Sequence, residues 1–370
     1  MSGADVATFD LAHSRGATRH LVGRGALAAA GELLASELAG RAVFAVSARP
    51  ILDLHGARLE PLREMARSFD LLEVPDGESA KTVAEAEALW RRMAAAGGKR
   101  DSVVVAFGGG SVGDLAGFVA GGFLRGVGWL QLPTTLLAQV DAAIGGKTAV
   151  DLPEAKNAVG LFHHPRAVVA DTDLLATLPR AQLRSGLVEV IKVAALLDPA
   201  LLDRVEAGLE ALAAGDPAAL SPVAAAAARA KAGLVAGDPE EAGPRRLLNL
   251  GHTLGHALEA EVGYGRLLHG DAVAHGLRFA LRLSVARGGD AAYARRLGTL
   301  LGRLGVPTLP RLSAEALLTR IARDKKAREG GIAWVLLEGP GRGRVEARLP
   351  EAWLRGELAD WLTAAGRDSL

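Results

Sequence analysis

The feature that most constrains the fold is an alternation of short apolar runs and amphipathic stretches between residues 41 and 171. The runs predicted to be strands are 42–47, 71–75, 102–107, 129–133 and 167–171. Between them, residues 82–98 have helical periodicity and end on glycines, as a helix does. Strands that alternate with helices are typical of a parallel sheet covered on both faces. We therefore predict an α/β N-terminal domain with a Rossmann-like parallel sheet.

The pattern changes after Leu178 and Pro179, where alternation gives way to long Ala/Leu-rich stretches. The stretches with a helical period are 180–197, 199–213, 217–236, 247–262, 270–287 and 313–327. Late in the chain, the runs 332–338 and 344–349 flank a Gly-Pro-Gly turn and predict a small hairpin. A length of 370 residues suits two domains. We place the α/β domain at residues 1–178 and a mostly α-helical C-terminal domain at 179–370.

Composition excludes several classes of protein. Lys and Arg total 43 against 42 Asp and Glu, so no general positive field attracts nucleic acid or an anionic membrane. The chain has no Cys, which excludes disulfides, thiolate metal sites and Cys nucleophiles. It shows neither a signal-peptide pattern nor 18 consecutive apolar residues. We expect a soluble, cytoplasmic protein whose anion sites are local and whose metal ligands are His, Asp or Glu.

The glycine-rich segment FGGGSVGD at 107–114 follows a predicted strand and leads into an apolar helical stretch. Glycines there let backbone N–H groups approach a pyrophosphate, and the start of the helix adds partial positive charge. The alternative is a tight turn without a ligand. Gly108, Gly110 and Gly113 fit the spacing of a dinucleotide fingerprint, but the acid expected about 20 residues later does not follow in a second strand. An ordinary two-halved Rossmann dehydrogenase is therefore poorly supported.

Four of the nine histidines lie between residues 252 and 275. His252 and His256 are four residues apart and share a helix face, and His269 follows a Gly-Tyr-Gly turn. With no Cys, imidazoles and a carboxylate are the expected Zn²⁺ ligands. Glu189 is the apt acid, since it interrupts an otherwise apolar helix beside Lys192 and needs a partner if buried. The alternative is a set of ordinary helix histidines with Glu189 paired to Lys192; we take His275 as structural.

Lys and Asn are rare in this chain, and most of them lie, together with Arg245 and Arg246, at the ends of predicted elements. Ammonium groups suit phosphate, guanidinium groups suit carboxylates, and Asn gives directed hydrogen bonds, so the set indicates a small, highly anionic substrate. The alternative is that each is a solvated surface charge. The residues are Lys147, Lys156, Asn157, Lys192, Lys231, Arg245, Arg246, Asn249, Lys325 and Lys326.

Six stretches, in this order, resemble the 3-dehydroquinate synthase family of sugar-phosphate cyclases. They are DGESAKT (76–82), GGGSVGDLAGFVAGGFLRGV (108–127), PTTLLAQVDAAIGGKTAVDLPEAKNAVGLFHHP (133–165), RSGLVEVIK (184–192), LNLGHTLGHALEAEVGYGRLLHGDAVAHG (248–276) and DKK (324–326). The resemblance implies a dehydroquinate synthase-like fold, catalytic NAD in the α/β domain and Zn²⁺ or Co²⁺ in the helical domain. It also implies a cleft between the domains in a homodimer, where 3-deoxy-D-arabino-heptulosonate 7-phosphate becomes 3-dehydroquinate and phosphate.

The resemblance also implies roles for individual residues. Glu189, His252 and His269 become the metal ligands, which overrules the pairing of His252 with His256 that spacing suggests. The catalytic residues are Lys147, His256, Lys192 and Asn157, with His256 near the leaving phosphate. The other substrate-binding residues are Arg125 (reaching across the dimer interface), Asp141, Lys231, Arg245, Asn249 and Lys326, although either Lys325 or Lys326 could face the substrate. NAD is held by Asp76, Gly77, Glu78, Ser79, Ala80, Lys81, Gly109, Gly110, Ser111, Val112, Gly113, Asp114, Thr134, Thr135, Lys147, Lys156, Leu174, Leu175, Ala176 and Thr177.

The chain departs from the family pattern at the early strand that carries an Asp for the adenosine ribose, because this sequence reads AVFAVSARP there, with Ser47 nearby. Three rival functions remain: another sugar-phosphate cyclase, a metal-dependent polyol dehydrogenase of the glycerol dehydrogenase type, and an inactive nucleotide-binding regulator. Lys231, Arg245 and Asn249 favour a substrate with a carboxylate, and the phosphate-binding set argues against a polyol dehydrogenase. No expected metal ligand is lost, which argues against the inactive protein.

Overall fold

The computed structural model describes residues 6–326, 333–347 and 349–363, with the backbone alone for 323–326. Its contacts divide the chain into two compact units, one of Met1–Pro179 with Gly215–Glu240 and one of Arg180–Ala214 with Glu241–Leu370. The first border falls next to the boundary predicted at residues 178 and 179. Gly215–Glu240, which the sequence pattern assigned to the second domain, groups by its contacts with the first unit. The division into functional domains stays a prediction.

The first unit is built on strands that include all five predicted from the apolar runs. Its strands are β1 (Ala7–His13), β2 (Gly16–Gly23), β3 (Ala42–Ala48), β4 (Ser68–Val74), β5 (Val103–Gly108), β6 (Gly128–Pro133), β7 (Lys147–Leu152), β8 (Ala155–Phe162) and β9 (Ala167–Asp171). The β1–β2 and β7–β8 hairpins were not among the predicted strands. Their strands carry polar or charged residues, which masks the alternation.

Seven of these strands form one sheet, in the order β1-β2-β9-β6-β5-β3-β4, while β7 and β8 pair separately. Every neighbouring pair of the large sheet is parallel except β1–β2. The chain runs from β3 outward to β4 and returns to β5 on the other side of β3. In open parallel sheets, ligands bind beyond the carboxyl ends of the strands at such a reversal. This topology confirms the predicted parallel α/β class and directs attention to the end of β5.

Helices cover both faces of the sheet, because alternate β3 residues are buried in two different apolar clusters. Phe44 and Val46 belong to one cluster, and Val43 and Ala45 to the other. The helices of this unit are α1 (Ala26–Ala29), α2 (Gly31–Leu38), α3 (Arg49–His55), α4 (Glu60–Met65), α5 (Val83–Ala95), α6 (Gly110–Gly122) and, from the later segment, α10 (Pro217–Gly237). Short 3-10 segments lie at Gly77–Ala80 and Thr172–Thr177.

The second unit is mainly helical, as predicted. Its helices are α7 (Arg180–Leu197), α8 (Pro199–Ala207), α9 (Leu209–Ala213), α11 (His252–Val262), α12 (His269–Ala286), α13 (Ala291–Arg303), α14 (Ala314–Lys326) and α15 (Glu351–Thr363), and a hairpin joins β10 (Trp334–Gly339) to β11 (Arg342–Glu346). Gly208 divides the stretch predicted as one helix at 199–213. The apolar core of the second unit contains residues of α11, α12, α14, α15 and β10. In the described part of the chain, no helix is both long and apolar enough to cross a membrane.

Candidate active site

The glycine-rich segment lies where the topology places a ligand, at the carboxyl end of β5. The backbone of Gly109 is extended, and α6 begins at the next residue. The helix therefore starts two residues after the carboxyl end of β5. A Cβ on Gly108 would come within 2.8 Å of the Val112 side chain, and one on Gly113 within 2.2 Å of Gln131 Nε2. These glycines therefore let the turn and α6 pack against β5 and β6, which leaves backbone N–H groups at the start of α6 able to face an anion.

Lys81 joins the predicted nucleotide-binding segments of the first unit. Its side chain is 3% exposed, and its Nζ lies 2.8 Å from Asp114 Oδ2 and 2.5 Å from Asn157 Oδ1. Burial alone would lower the pKa of Lys81, but the nearby carboxylates, Asp114 and Glu78 first among them, raise it, so the ammonium stays charged. Burial raises the pKa of Asp114, against the opposing effect of Lys81. The charge of Lys81 thus binds three separate segments together.

The hairpin of β7 and β8 places Asn157, a predicted catalytic residue, beside Lys81, and Lys156, a predicted NAD contact, beside Glu78. Asn157 has a φ of 52°, and its backbone N–H donates to Asp151 Oδ1 over 2.6 Å. Lys156 Nζ lies 3.3 Å from Glu78 Oε1. Lys147 begins β7 and is exposed. The structure therefore brings Lys81, Asn157 and Lys156 into one charged cluster.

Lys231 and Asp141, both predicted to bind substrate, contact one another. Lys231 Nζ donates to the backbone oxygen of Asp141 over 2.7 Å and lies 2.6 Å from its Oδ1. Lys231 is 6% exposed on α10, and Asp141 lies in a π-helical turn at Ala138–Ala142. This pair explains in part why α10 packs with the first unit, although its sequence resembles those of the second.

Other predicted NAD contacts lie on loops at the same carboxyl edge of the sheet. The Thr134 hydroxyl, directly after β6, is buried and has no hydrogen-bond partner within the described residues. Thr135 Oγ1 accepts a hydrogen bond from the Ala138 N–H over 3.2 Å. Leu174 and Leu175 are buried in a 3-10 segment, and Thr177, which ends that segment, exchanges a hydrogen bond of 2.7 Å with His55.

Three further residues named in the sequence analysis have the following places in the structure. The Ser47 hydroxyl donates to the Phe107 backbone oxygen over 2.7 Å and is fully buried, so it is used inside the sheet. Arg125 is exposed on a turn in which Leu124 and Arg125 both have positive φ, 50° and 67°. Lys326 is the last residue of α14, and its side chain lies outside the described residues, as does that of Lys325.

In the second unit, Glu189 is the centre of the predicted metal site. Its side chain is completely buried on α7, and Lys192 Nζ lies 2.5 Å from its Oε2. His252 Nε2 and His269 Nε2 each lie 3.8 Å from Glu189 Oε1. These three residues form a group whose ligand atoms lie within 4.8 Å of one another. The carboxylate and two imidazoles predicted from the sequence therefore converge.

Close helix contacts position these three ligands. A Cβ on Gly270 would lie 2.2 Å from the Ser185 backbone oxygen, so α12 begins against α7. Arg184 reinforces that contact with hydrogen bonds of 2.8 and 2.9 Å to the two carboxylate oxygens of Asp271. A Cβ on Gly276 would lie 1.9 Å from the Gly251 backbone oxygen, which lets α11 meet α12.

The donor set fits a divalent metal ion. Neither oxygen of Glu189 has a hydrogen bond of acceptable geometry within the described residues, although both are buried and Lys192 is near. His252 Nδ1 lies 3.2 Å from the Leu250 backbone oxygen, and His269 Nδ1 lies 3.2 Å from Glu259 Oε2. An Nδ1–H that donates to each acceptor leaves the Nε2 lone pair on the Glu189 side, where a metal would lie.

His256 lies at the edge of this group. Its ring centroid is 5.3 Å from that of His252 and 6.0 Å from that of His269, and its side chain is exposed. A second possible ligand group consists of His256, Glu259 and His269. The exposure of His256 suits contact with a substrate better than the closed coordination of a structural metal.

Arg245 is 3% exposed in a 3-10 segment, and Asn249 Nδ2 donates to Glu241 Oε1 over 2.6 Å. The sequence interpretation missed Glu241, which has a φ of 60° in an acidic turn that resembles a solvated surface. It also missed Glu259. Glu259 follows His252 by seven residues, two helical turns, and that spacing could have identified it.

Comparisons with known proteins cover the segments that carry the residues described above. The family models described as 3-dehydroquinate synthase N-terminal and 3-dehydroquinate synthase C-terminal match residues 71–185 and 186–327. A 3-dehydroquinate synthase of Xanthomonas campestris is 47% identical over 345 residues, 90% of this chain and 93% of that protein. One of Rhodospirillum rubrum is 45% identical over 331 residues, 87% of this chain and 86% of that protein.

Solved structures agree in fold. A 2-epi-5-epi-valiolone synthase from Streptomyces hygroscopicus, with NAD⁺ and Zn²⁺ bound, gives a TM-score of 0.86 at 27% identity over 95% of this chain and 98% of the other. A 2-deoxy-scyllo-inosose synthase complexed with carbaglucose-6-phosphate, NAD⁺ and Co²⁺ gives 0.85 at 24% identity over 96% and 99%. The glycerol dehydrogenase of Schizosaccharomyces pombe, at 15% identity and a TM-score of 0.67, shares the fold alone.

Proposed function

The chain belongs to the 3-dehydroquinate synthase family, and on that premise we propose which of its residues carry the reaction. The enzyme converts 3-deoxy-D-arabino-heptulosonate 7-phosphate to 3-dehydroquinate and phosphate, with NAD and a divalent metal ion. The observation that carries the assignment is the 47% identity over 90% of the chain. The convergence of Glu189, His252 and His269 supports the same function independently of that identity.

We assign NAD to the carboxyl edge of the first unit's sheet and the metal ion to the second unit's cluster. When bound, NAD supplies a temporary hydride acceptor and the metal ion polarises the substrate hydroxyl and carbonyl oxygens. The assignment of NAD is supported by the glycine-rich segment at 109–114, by the charged Lys81 and by the buried Thr134 hydroxyl, which has no hydrogen-bond partner within the described residues. The unsatisfied oxygens of Glu189 support the metal. We propose Zn²⁺, or Co²⁺ in its place.

Two sets of residues recognise the anionic ends of the substrate in this proposal. Lys147, Asn157 and His256, with Lys326 and the Arg125 of a second subunit, hold the phosphate and stabilise its departure. Lys231, Arg245 and Asn249 hold the carboxylate. Arg245 and Lys231 are nearly buried, so their charges are little screened by water and each ion contact should be strong.

Lys231 is already paired with Asp141, which suggests how the carboxylate site works. The ammonium donates to the Asp141 backbone oxygen and to its Oδ1. Asp141 therefore orients the ammonium, which in this proposal binds the substrate carboxylate. The Asn249 amide is likewise held by Glu241, which fixes its orientation.

The rival functions are less well supported. The curated relatives at 44–47% identity are 3-dehydroquinate synthases. A cyclase whose substrate lacks a carboxylate would not need the carboxylate set. A polyol dehydrogenase would not need Lys147, Asn157 and Lys156 near its cofactor. We also propose a cytoplasmic homodimer, because the absence of Cys suits a reducing compartment and the exposed Arg125 would serve a neighbouring active site.

The reaction is redox-neutral overall, and this gives a direct test. Metal-loaded protein is mixed with excess 3-deoxy-D-arabino-heptulosonate 7-phosphate and a trace of NAD, and the phosphate released per NAD is counted while NADH absorbance is followed. We expect many phosphates per NAD with no lasting NADH. NADH that rises to the amount of NAD added, with no phosphate released, would indicate a simple dehydrogenase. If neither phosphate nor NADH appears, the enzyme acts on the substrate of another cyclase.

A further inference from the structure

The carboxylate of Glu259 lies on the far side of His269 from the proposed metal position. Glu259 Oε2 is 3.2 Å from His269 Nδ1, while His269 Nε2 is 3.8 Å from Glu189 Oε1. Glu259 is 4% exposed, and the His269 side chain is 28% exposed. One imidazole therefore lies between two carboxylates, of which one is in the proposed ligand group and the other is behind the ring.

We propose that Glu259 is a positioning residue that fixes the tautomer and the ring orientation of His269 for metal binding. A carboxylate accepts but does not donate, so it selects the imidazole form that carries hydrogen on Nδ1. The Nε2 lone pair is then directed toward Glu189. A hydrogen-bonded carboxylate also makes the ligand nitrogen more basic, and loss of such outer partners costs about 10- to 100-fold in metal affinity. This inference rests on the proposed function, which places the metal at Glu189, His252 and His269.

The two histidines of the group are held in different ways, and this gives Glu259 its specific role. His252 Nδ1 faces the Leu250 backbone oxygen, two residues away in the chain, which the local turn supplies. His269 begins α12, after the turn at residues 263–268, and its Nδ1 partner comes from another helix. Glu259 lies on α11 seven residues after His252, on the same face. One face of α11 therefore carries one ligand and the residue that orients the other.

A different interpretation treats Glu259 as a metal ligand itself. Glu259, His256 and His269 form a second group with ligand atoms within 4.8 Å. In that group Glu259 would bind the metal directly, whereas here its Oε2 faces His269 Nδ1 over hydrogen-bond distance. The buried, unsatisfied Glu189 favours the first group as the metal position. Metal stoichiometry and the ligand nitrogen distinguish the two arrangements.

The test compares metal binding by Glu259→Ala and Glu259→Gln with binding by the unmodified protein. Each protein is stripped of metal, and Zn²⁺ affinity is measured by competition with a chromophoric chelator. We expect Glu259→Ala to weaken affinity about 10- to 100-fold and Glu259→Gln to weaken it less, because the amide oxygen still accepts from Nδ1–H. Glu261→Ala is the matched control, since Glu261 lies on the same helix but pairs with Arg320 over 3.0 Å.

A second measurement detects the tautomer without any metal. In metal-free protein labelled with ¹⁵N-histidine, the His269 nitrogen shifts should indicate hydrogen on Nδ1, and Glu259→Ala should move the population toward hydrogen on Nε2. Unchanged affinity and tautomer in a folded Glu259→Ala protein would overturn the proposal. A stoichiometry of two Zn²⁺ that falls to one in Glu259→Ala would also overturn it, in favour of the second ligand group.

His269→Ala separates this inference from the proposed function. If His269→Ala binds Zn²⁺ as tightly as the unmodified protein, the assignment of the metal site itself fails. If His269→Ala loses Zn²⁺ while both Glu259 variants retain it, only the positioning role fails. Should Glu259→Ala not fold, the Glu259→Gln protein carries the comparison, with its metal-free circular dichroism spectrum matched to that of the unmodified protein.

Discussion

The Lys192 ammonium lies 2.5 Å from Glu189 Oε2, and both side chains are essentially excluded from water. A buried charge that loses its partner destabilises a protein by about 3–5 kcal/mol, more than the intact pair contributes. The two opposite charges of the pair therefore compensate one another in a helix that is otherwise apolar.

We predict that Lys192→Met lowers the free energy of unfolding of the metal-free protein by about 3–5 kcal/mol. The cause is the unpaired Glu189 carboxylate. Zn²⁺ should restore part of this loss, because the cation then supplies the missing charge. Urea unfolding with and without Zn²⁺ measures both effects, and equal stability of the variant in the two conditions would contradict the metal assignment.

We predict that Glu189→Gln abolishes stoichiometric metal retention. The neutral amide is a weak ligand, and it leaves Lys192 without a counter-charge. Metal content after dialysis, measured by plasma mass spectrometry, is the readout. Glu206→Gln is the control, because Glu206 is a partly exposed acid of the same unit that pairs with Arg296. Full metal content in the Glu189→Gln protein would remove Glu189 from the ligand set.

Lys81→Met should weaken NAD binding about 10- to 100-fold. The variant removes the charge that binds Asp114 and Asn157, and hydrogen bonds to charged groups contribute about 1.5–3 kcal/mol each. Calorimetric titration with NAD measures the change. Lys99→Met, at an exposed turn, is expected to bind NAD normally. An unaltered affinity in Lys81→Met would exclude this cluster from the cofactor site.

The sequence predicted the fold class well because local patterns determine it. The runs that became β3, β5, β6 and β9 are nearly continuous apolar stretches, as strands buried on both faces should be. The hairpin of β7 and β8 was missed, because its outer residues are exposed and its pattern reads as a charged loop. The group of Lys231 with Asp141 could not be predicted from spacing either, since 90 residues separate the two partners.

The metal ligands show the limit of spacing in another way. Helical periodicity pairs His252 with His256, whereas the structure directs His252 and His269 toward Glu189. Whether His256 or His269 joins His252 beside Glu189 depends on the close approach of α11 and α12 at Gly276. No local pattern in the sequence encodes this tertiary contact.

Gly276→Ala should therefore lower both stability and metal affinity. Its Cβ would lie 1.9 Å from the Gly251 backbone oxygen, so α11 and α12 must separate, and such overpacking costs about 1–3 kcal/mol or more. Thermal unfolding and Zn²⁺ titration give the two readouts. Gly356→Ala is the matched control, because among the described residues outside its own helical turn no atom lies within 4 Å of its added Cβ, and Ala favours a helix. Equal stability of both variants would refute the predicted contact.

Lys231→Ala is expected to raise the KM for a substrate that carries a carboxylate about tenfold or more, with little effect on a decarboxylated analogue. The ammonium, held by Asp141, supplies one strong charge-assisted bond to that group. Steady-state phosphate release from both compounds measures the difference. Equal losses on the two compounds would show that Lys231 supports the structure and not carboxylate recognition.

His20 gives a pH prediction that is independent of the active site. Its side chain is 1% exposed and stacks on Phe9 with ring centroids 4.9 Å apart, and burial lowers its pKa from 6.5 to about 4. Between these values the unfolded chain binds a proton that the folded chain does not, so stability falls as the pH drops from 6.5 to 4. The loss due to His20 is about 3 kcal/mol over this window and none above it.

We predict that His20→Leu removes this part of the acid sensitivity. Urea unfolding at several pH values between 7 and 4 should give a smaller decline in the unfolding free energy for His20→Leu than for the unmodified protein. Phe9→Leu keeps the buried imidazole and should retain the full decline, even though the loss of the stack lowers stability at every pH. Parallel curves for His20→Leu and the unmodified protein would mean that His20 is as easily protonated in the folded chain as in the unfolded one.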